Sequence, residues 1–227
     1  MRKRVGVFSS IHTQAHDSVV GLGAIGIVYG MSSLLPPEDR LPSLTHHRVL
    51  AILGLMTVLA VIYLRWQGRV WWCECGRPFP VSIVVQSEHN SQHLFDAYSL
   101  SHVLHGVLFF GLFWLIPNLS LAWRFILATT IEIGWELLEN SPIVIDRYRQ
   151  NTASLGYTGD SIANSLADIV SYAAGFLLAR WLGLWKSVAA FVLVEITMVL
   201  AMRDNLSLNV LMLLWPIEAV KQWQTGG

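Results

Sequence analysis

Residues 157–182 read YTGDSIANSLADIVSYAAGFLLARWL. From Ile162 to Leu182 the stretch is apolar or small in most positions, close to the ~20 residues a helix needs to cross a hydrocarbon core. Its first turns nevertheless carry Asp160, Asn164 and Asp168, spaced i, i+4, i+8 on one helical face. An ionisable group inside a bilayer costs roughly 2.5 to 3.5 kcal/mol on insertion scales, so such a helix must turn that face toward other helices. The stretch therefore predicts the fold class, an all-α polytopic transmembrane helical bundle, together with a polar site inside it.

Outward from this segment, mainly apolar spans recur at 19–35, 49–66, 101–116, 121–138 and 186–202. A further stretch, 206–220, is shorter and holds Pro216 and Glu218, which leaves open whether it crosses, re-enters or lies in the interface. Six to seven helices are expected. Hydrophobic residues make up 54% of the chain and charged ones 13%, about half the ~25% usual for soluble domains. Trp66, Trp71, Trp72, Trp181, Trp185, Trp215 and Trp223 sit near the ends of apolar runs, as an aromatic belt does. A formal charge of zero and no basic stripe argue against nucleic acid as a partner. The start, Met1-Arg2-Lys3-Arg4, looks like a signal n-region, but Asp17 interrupts before the apolar run and no small-residue cleavage pattern follows, so a retained segment is expected.

Successive helices alternate direction, so the polar loops 67–100 and 139–161 and the segment 203–206 must emerge on one face. That face carries Arg65, Arg69, Arg77, Arg147, Arg149 and Arg203 with the basic N-terminus, against Arg40, Arg48, Arg124, Arg180 and Lys186 on the other. The excess predicts that the polar face is cytoplasmic.

Three neighbouring helices present a polar stripe at the end nearest these loops. Tyr98, His102 and His105 share one face, Glu132, Glu136 and Glu139 share another, and Asp160, Asn164 and Asp168 form the third. At 1.5 Å rise per residue Glu132 lies about 10 Å below Glu139, deep enough to require a partner, a proton or a metal ion. Oxygen ligands at this spacing suit Mg2+; with His102, His105, His93 or Asp96 added, Zn2+ also fits. The bland alternative is that Asp160 or Ser161 caps a helix, Asn164 bonds a neighbour and the histidines only satisfy the glutamates. Cys73-Glu74-Cys75-Gly76 is too close-spaced for an ordinary disulfide scaffold; it is read as a reduced turn, the alternative being two thiolates for a soft metal. His89 is read as an exposed loop histidine, and Glu195 as part of a fourth polar helix or a helix-packing residue.

The motifs CECG (73–76), NSQHLFDAY (90–98), SHVLHG (101–106), WELLENSP (135–142), IDRYR (145–149), YTGDSIANSLAD (157–168) and RDNLSLN (203–209) resemble the DUF2585 (UPF0314) family of bacterial membrane proteins. The resemblance runs from about residue 50 to the C-terminus, dividing the chain into an extra N-terminal segment, 1–45, and a DUF2585-like membrane domain, 46–227. It implies a bacterial inner-membrane protein and names no reaction.

The leading functional expectation is a membrane-embedded, divalent-metal-dependent enzyme acting on a lipid headgroup or other phosphorylated or polar substrate at the cytoplasmic leaflet. Asp160, Asn164 and Asp168, with His93 and Asp96 nearby, would hold the metal; His102, His105, Glu136 and Glu139 would handle protons; Tyr98, Arg147 and Arg149 would bind substrate, the arginines clamping anionic oxygens. The alternatives are an ion-coupled carrier using Glu132, Glu136, Asp168 and Glu195 as a protonatable path, and a structural subunit of a larger membrane complex.

Overall fold

The computed structural model describes residues 44–85, 87–152 and 156–226. The expected first span, 19–35, lies outside them, as do Arg2, Lys3, Arg4 and Arg40. Eight helices occur among the described residues: α1 His46–Trp66, α2 Ser99–Trp114, α3 Leu121–Glu139, α4 Pro142–Asn151, α5 Ile162–Leu182, α6 Leu184–Met202, α7 Leu206–Leu214 and α8 Glu218–Thr225. The only strands among those residues are two-residue pieces, β1 Val81–Ser82 and β2 Phe95–Asp96, paired in parallel.

Helix boundaries follow local chemistry. Ser120, Ser141, Ser161 and Asn205 each accept a first-turn N–H at the start of α3, α4, α5 and α7. Pro142 opens α4 at a position where its missing N–H costs nothing. Gly183, at φ 73°, separates α5 from α6, and Arg203, at φ 55°, closes α6. Two of these breaks correct the sequence reading. The loop 139–161 contains α4, whose polar composition hid it, and the stretch 206–220 is split at Pro216 into α7 and α8. With nine residues, α7 is about 14 Å long, too short to cross a bilayer.

Three helices, α1, α5 and α6, are long and apolar enough to cross a membrane. Their surroundings differ. α5 lies at the centre, against α1, α2, α3 and α6, and buries Ser165, Ala167, Ser171, Tyr172, Gly175, Phe176 and Ala179. α1 buries only Ala60 and Leu64 and exposes Leu50, Leu55, Val58, Leu59 and Ile62; α6 likewise exposes Val188, Val192, Leu193, Ile196 and Leu200. Contiguous apolar faces of this extent are compatible with lipid rather than water as the neighbour.

The tightest contact is between α2 and α5. A Cβ on Gly106 would overlap the Tyr172 carbonyl oxygen, and one on Gly175 would overlap the carbonyl of Val103. Ser171, Gly175 and Ala179 form a small-residue ridge at four-residue spacing, the pattern that lets helix backbones meet without a hydrophobic driving force. Beside this crossing Phe113, Tyr172 and Phe176 build an apolar cluster with Phe109, Phe110 and Phe125.

The polar connections meet at one end of the bundle. Ser161 N–H donates to Ser91 O and Ile162 N–H to Val70 O; Tyr98 donates to Asp204 (2.9 Å) and Gln67 to Leu137 O (3.0 Å). The four N-terminal N–H groups of α5 are thus partly satisfied by the loop that precedes α2.

Gly106→Ala and Gly175→Ala should each destabilise the protein by about 1–3 kcal/mol through overpacking. Gly54→Ala, where no atom lies within 4 Å of the added methyl, should be neutral or slightly stabilising. Thermal unfolding of the three variants in detergent checks this contrast.

Candidate functional site

The α2–α5 crossing places His102, one turn before Gly106, between acids from two other helices. Its Nδ1 donates to Glu132 Oε1 at 2.7 Å and lies 3.3 Å from Glu136 Oε1. Its Nε2 faces Asp168 Oδ2 across 3.9 Å. His105, one turn further along α2, contacts Glu132 Oε2 through Nδ1 at 3.0 Å. Glu132 and Glu136 are 0% exposed, and Asp168 is buried. The helical spacing explains the meeting: α2 and α5 run in the same direction from the polar end, while α3 runs back, so Glu136 pairs with His102 and Glu132 reaches both imidazoles.

Two sets of donors here have the types and spacing to hold a metal ion: His102, His105 and Glu132, and His102, Glu136 and Asp168. Within each set one donor atom per residue lies within 4.8 Å of the others. The second set shows the stronger signs of a ligand site. Neither carboxylate oxygen of Glu136 has a hydrogen-bond partner among the described residues, although both are buried. His102 Nδ1 is held by Glu132, which leaves Nε2 on the side of Asp168, 3.9 Å from its Oδ2. Asp168 itself accepts from Ser99 Oγ at 2.8 Å.

Other predicted residues are placed differently. Asp160 is locked to the end of α3, accepting from Asn140 Nδ2 (2.8 Å) and Tyr157 OH (2.9 Å) while its N–H donates to Asn140 Oδ1 (2.7 Å). Burial pushes its carboxyl up to about 6 against the pull of those hydrogen bonds. Asn164 donates to Leu94 O at 3.3 Å, and its buried Oδ1 has no hydrogen-bond partner among the described residues. Asp96 is fully engaged as a cap of α2: Oδ1 accepts from Tyr98 N–H and Ser99 N–H, and Oδ2 from Ser91 N–H and Oγ. Arg147 donates to the carbonyls of Leu213 and Leu214 at the end of α7. Arg149 donates to Tyr157 O and lies 3.8 Å from Asp146. These two contacts tie α4 to its surroundings; the structure does not bring the arginines to the buried carboxylates. Glu195 also caps: its two oxygens accept from Leu206 N–H (2.9 Å) and Ser207 N–H (3.1 Å). His93 is fully buried away from the cluster, against Cys75, Phe79 and Trp72. Burial and the neighbouring His89 hold its imidazole below the ordinary value.

A cavity of about 110 Å³ opens beside the cluster, lined by Tyr98, His102, His105, Glu139, Asp160 and Asp168 among others. It also meets Tyr148 and Tyr157, which sequence reasoning had given no role; burial pushes both phenols well up, so they stay protonated donors. A second, larger cavity of about 860 Å³ lies on the loop side and shares Asn90, Tyr157 and Asp160 with the first. Arg69 is its cationic lining residue. Two signals in the sequence pointed to these tyrosines, the IDRYR and YTGD motifs, but a tyrosine near a membrane surface more often anchors in the interface than lines a pocket.

Fold and site together define a helical protein with membrane-length apolar helices enclosing a buried imidazole–carboxylate centre. The chain belongs to the DUF2585 family, described as a protein of unknown function, whose pattern matches residues 64–226. It is 47% identical over 173 residues to a UPF0314 protein of Paracoccus denitrificans (strain Pd 1222), covering 76% of this chain and 90% of that one. A UPF0314 protein of Rhizobium meliloti (strain 1021) is 48% identical over 180 residues, 78% of this chain and 90% of the relative. One of Sphingopyxis alaskensis is 43% identical over 175 residues, 77% and 93% respectively. No solved structure matches the chain.

The division between caps and centre is testable. Asp96→Ala removes the acceptor for four donors and should cost about 1–3 kcal/mol of stability. Its bound-metal content, measured on the folded fraction, should equal that of the wild type.

Proposed function

We propose that this protein is a polytopic inner-membrane enzyme with a divalent metal ion at the His102–Glu136–Asp168 centre, acting on a lipid headgroup or another phosphorylated or polar substrate that enters from the cytoplasmic face. The observation that carries the proposal is Glu136, a buried carboxylate neither of whose oxygens is hydrogen-bonded among the described residues, facing an imidazole and a second acid. A carboxylate left so in an apolar bundle costs several kcal/mol unless a proton or a cation compensates it. The mixed nitrogen and oxygen donors favour Zn2+ over Mg2+, which prefers oxygen alone. Such an ion would polarise a phosphoryl or carbonyl oxygen or lower the pKa of a water.

This chain's own groups have distinct parts. Glu132 orients both imidazoles through its two oxygens. His105, only partly buried and on the cavity wall, is placed to take or give a proton. Tyr98, Glu139, Tyr148 and Tyr157 line the space for a polar group. Arg147 and Arg149 do not line either cavity, whereas Arg69, which donates to Thr158 O, lines the outer one and lends it positive charge that would attract an anionic headgroup. The carrier alternative loses Glu195 from its path, because that residue caps α7.

Metal analysis of protein purified without chelator tests the centre. Asp168→Asn and His102→Ala should each lower the divalent-metal content by about one equivalent, and Glu195→Gln should leave it unchanged. Equal metal content in all four proteins sinks the proposal. The proposed orientation has its own check: with α7 too short to cross, a C-terminal fluorescent-protein fusion should fluoresce and a C-terminal alkaline phosphatase fusion should be inactive.

A further inference from the structure

Outside the bundle, four side chains from the loop before α2 converge on one point. Cys73 Sγ lies 3.5 Å from His89 Nδ1, and Cys75 Sγ lies 3.9 Å from His93 Nε2. One donor atom from each of the four residues lies within 4.8 Å of all the others. A tetrahedral zinc ion with Zn–S about 2.3 Å and Zn–N about 2.0–2.1 Å needs sulfur and nitrogen about 3.5–3.6 Å apart along each edge. The two S···N separations are close to that edge.

The surroundings are those of a built site. Cys73 and His93 are buried and the other two partly so. Phe79 stacks on His93 with ring centroids 4.1 Å apart, and Trp72 meets its edge at 5.5 Å. Glu88 Oε1 stands 3.7 Å from His89 Nε2, behind the ring nitrogen that faces Cys73. The Cys73 N–H donates to Gln92 O and the Cys75 N–H to Cys73 Sγ, which fixes the CECG turn against the histidine segment.

We propose that Cys73, Cys75, His89 and His93 form a closed structural zinc site, separate from the centre in the bundle, that pins the loop 67–98 over the inner cavity. Four protein donors leave no position open for substrate, so the ion has a structural part. The loop needs such a clip: its regular structure is two residues of β1 paired with two of β2, too little for independent stability. What the clip holds matters to the cavity, because Asn90 and Ser91 on its wall lie between the two histidines and Asp96 follows three residues after the second. Gln92, between them as well, donates to Gly159 O at 2.7 Å and so ties the loop to the start of α5.

The structure joins Cys73 and Cys75 as a disulfide, where a reduced turn was expected from the sequence. The disulfide and the shared ion are alternative states of the pair. A dithiol reductant that breaks the S–S bond supplies two electrons and two protons and leaves as its own disulfide; the two thiols formed lose those protons when both sulfurs bind zinc.

Cobalt substitution and zinc analysis on the full-length protein, purified under reducing conditions, test this. The Asp168→Asn background removes the bundle centre, so failure of one site does not mimic failure of the other. There, about one equivalent of zinc should remain, and Co2+ should give the intense visible bands of a tetrahedral ion with near-ultraviolet thiolate-to-metal charge transfer. Cys75→Ser should lose both signals, and His93→Cys should keep the metal with stronger charge transfer. Chelation should speed proteolytic cleavage within 67–98 several-fold. On the wild-type protein with titratable thiols, cobalt bound without thiolate charge transfer, or no metal bound at all, overturns the proposal, and because both are read on the wild type neither depends on the folding of a variant.

Discussion

The structure depends on how closely α2 and α5 approach. Gly106 and Gly175 remove the side chains that would hold the two backbones apart, and the crossing sets His102 and Asp168 on facing surfaces one to two turns nearer the polar end. α3 then closes the third side with Glu132 and Glu136. In a bundle whose outer faces are apolar, Glu132 and Glu136 are fully buried, and Asp168 meets only the small inner cavity. Two imidazoles face these acids, and the charge that they do not balance calls for a proton or a bound cation. Packing and electrostatics are therefore coupled: widening the crossing would loosen both the apolar cluster around Tyr172 and the histidine–carboxylate contacts.

Several acids that look reactive in the sequence are structural in the fold. Asp96, Glu195 and Asp160 have both carboxylate oxygens hydrogen-bonded: Asp96 to N–H groups at the start of α2 and to Ser91, Glu195 to N–H groups at the start of α7, and Asp160 to Asn140 and Tyr157. A helix end buried near a membrane must satisfy its orphan N–H groups from side chains, and a carboxylate does so while also favouring the positive end of the dipole. The acids without such duties, Glu132, Glu136 and Asp168, are the ones that gather around His102. Arg147 shows the same economy at the opposite pole, where it takes up the C-terminal carbonyls of α7.

The polar end is an assembly of loops held by few but long-range contacts. Ser91, Gln92 and Leu94 bond the residues around the start of α5, and Tyr98 bonds Asp204 beyond α6. The two cavities meet at Asn90, Tyr157 and Asp160, so the loop before α2 forms both the wall of the inner space and the floor of the outer one. Both cavities are thus lined in part by a segment that has little regular structure among its described residues.

The sequence by itself determined that the described chain is mainly helical, with membrane-length apolar stretches at α1, α5 and α6, and that polar stripes recur at i, i+4 and i+7, because hydrophobic length and helical period are properties of short stretches. Its family membership was equally legible, in the motifs. It did not determine which stripe residues are caps and which are ligand candidates, since a carboxylate facing an N–H and one facing an imidazole have the same spacing along a helix. Helix α4, the cluster of Cys73 and Cys75 with His89 and His93, and the engagement of Arg147 and Arg149 were decided only in three dimensions. Each depends on which distant backbone group or side chain arrives opposite, and that is fixed by the angle and depth at which the helices pack.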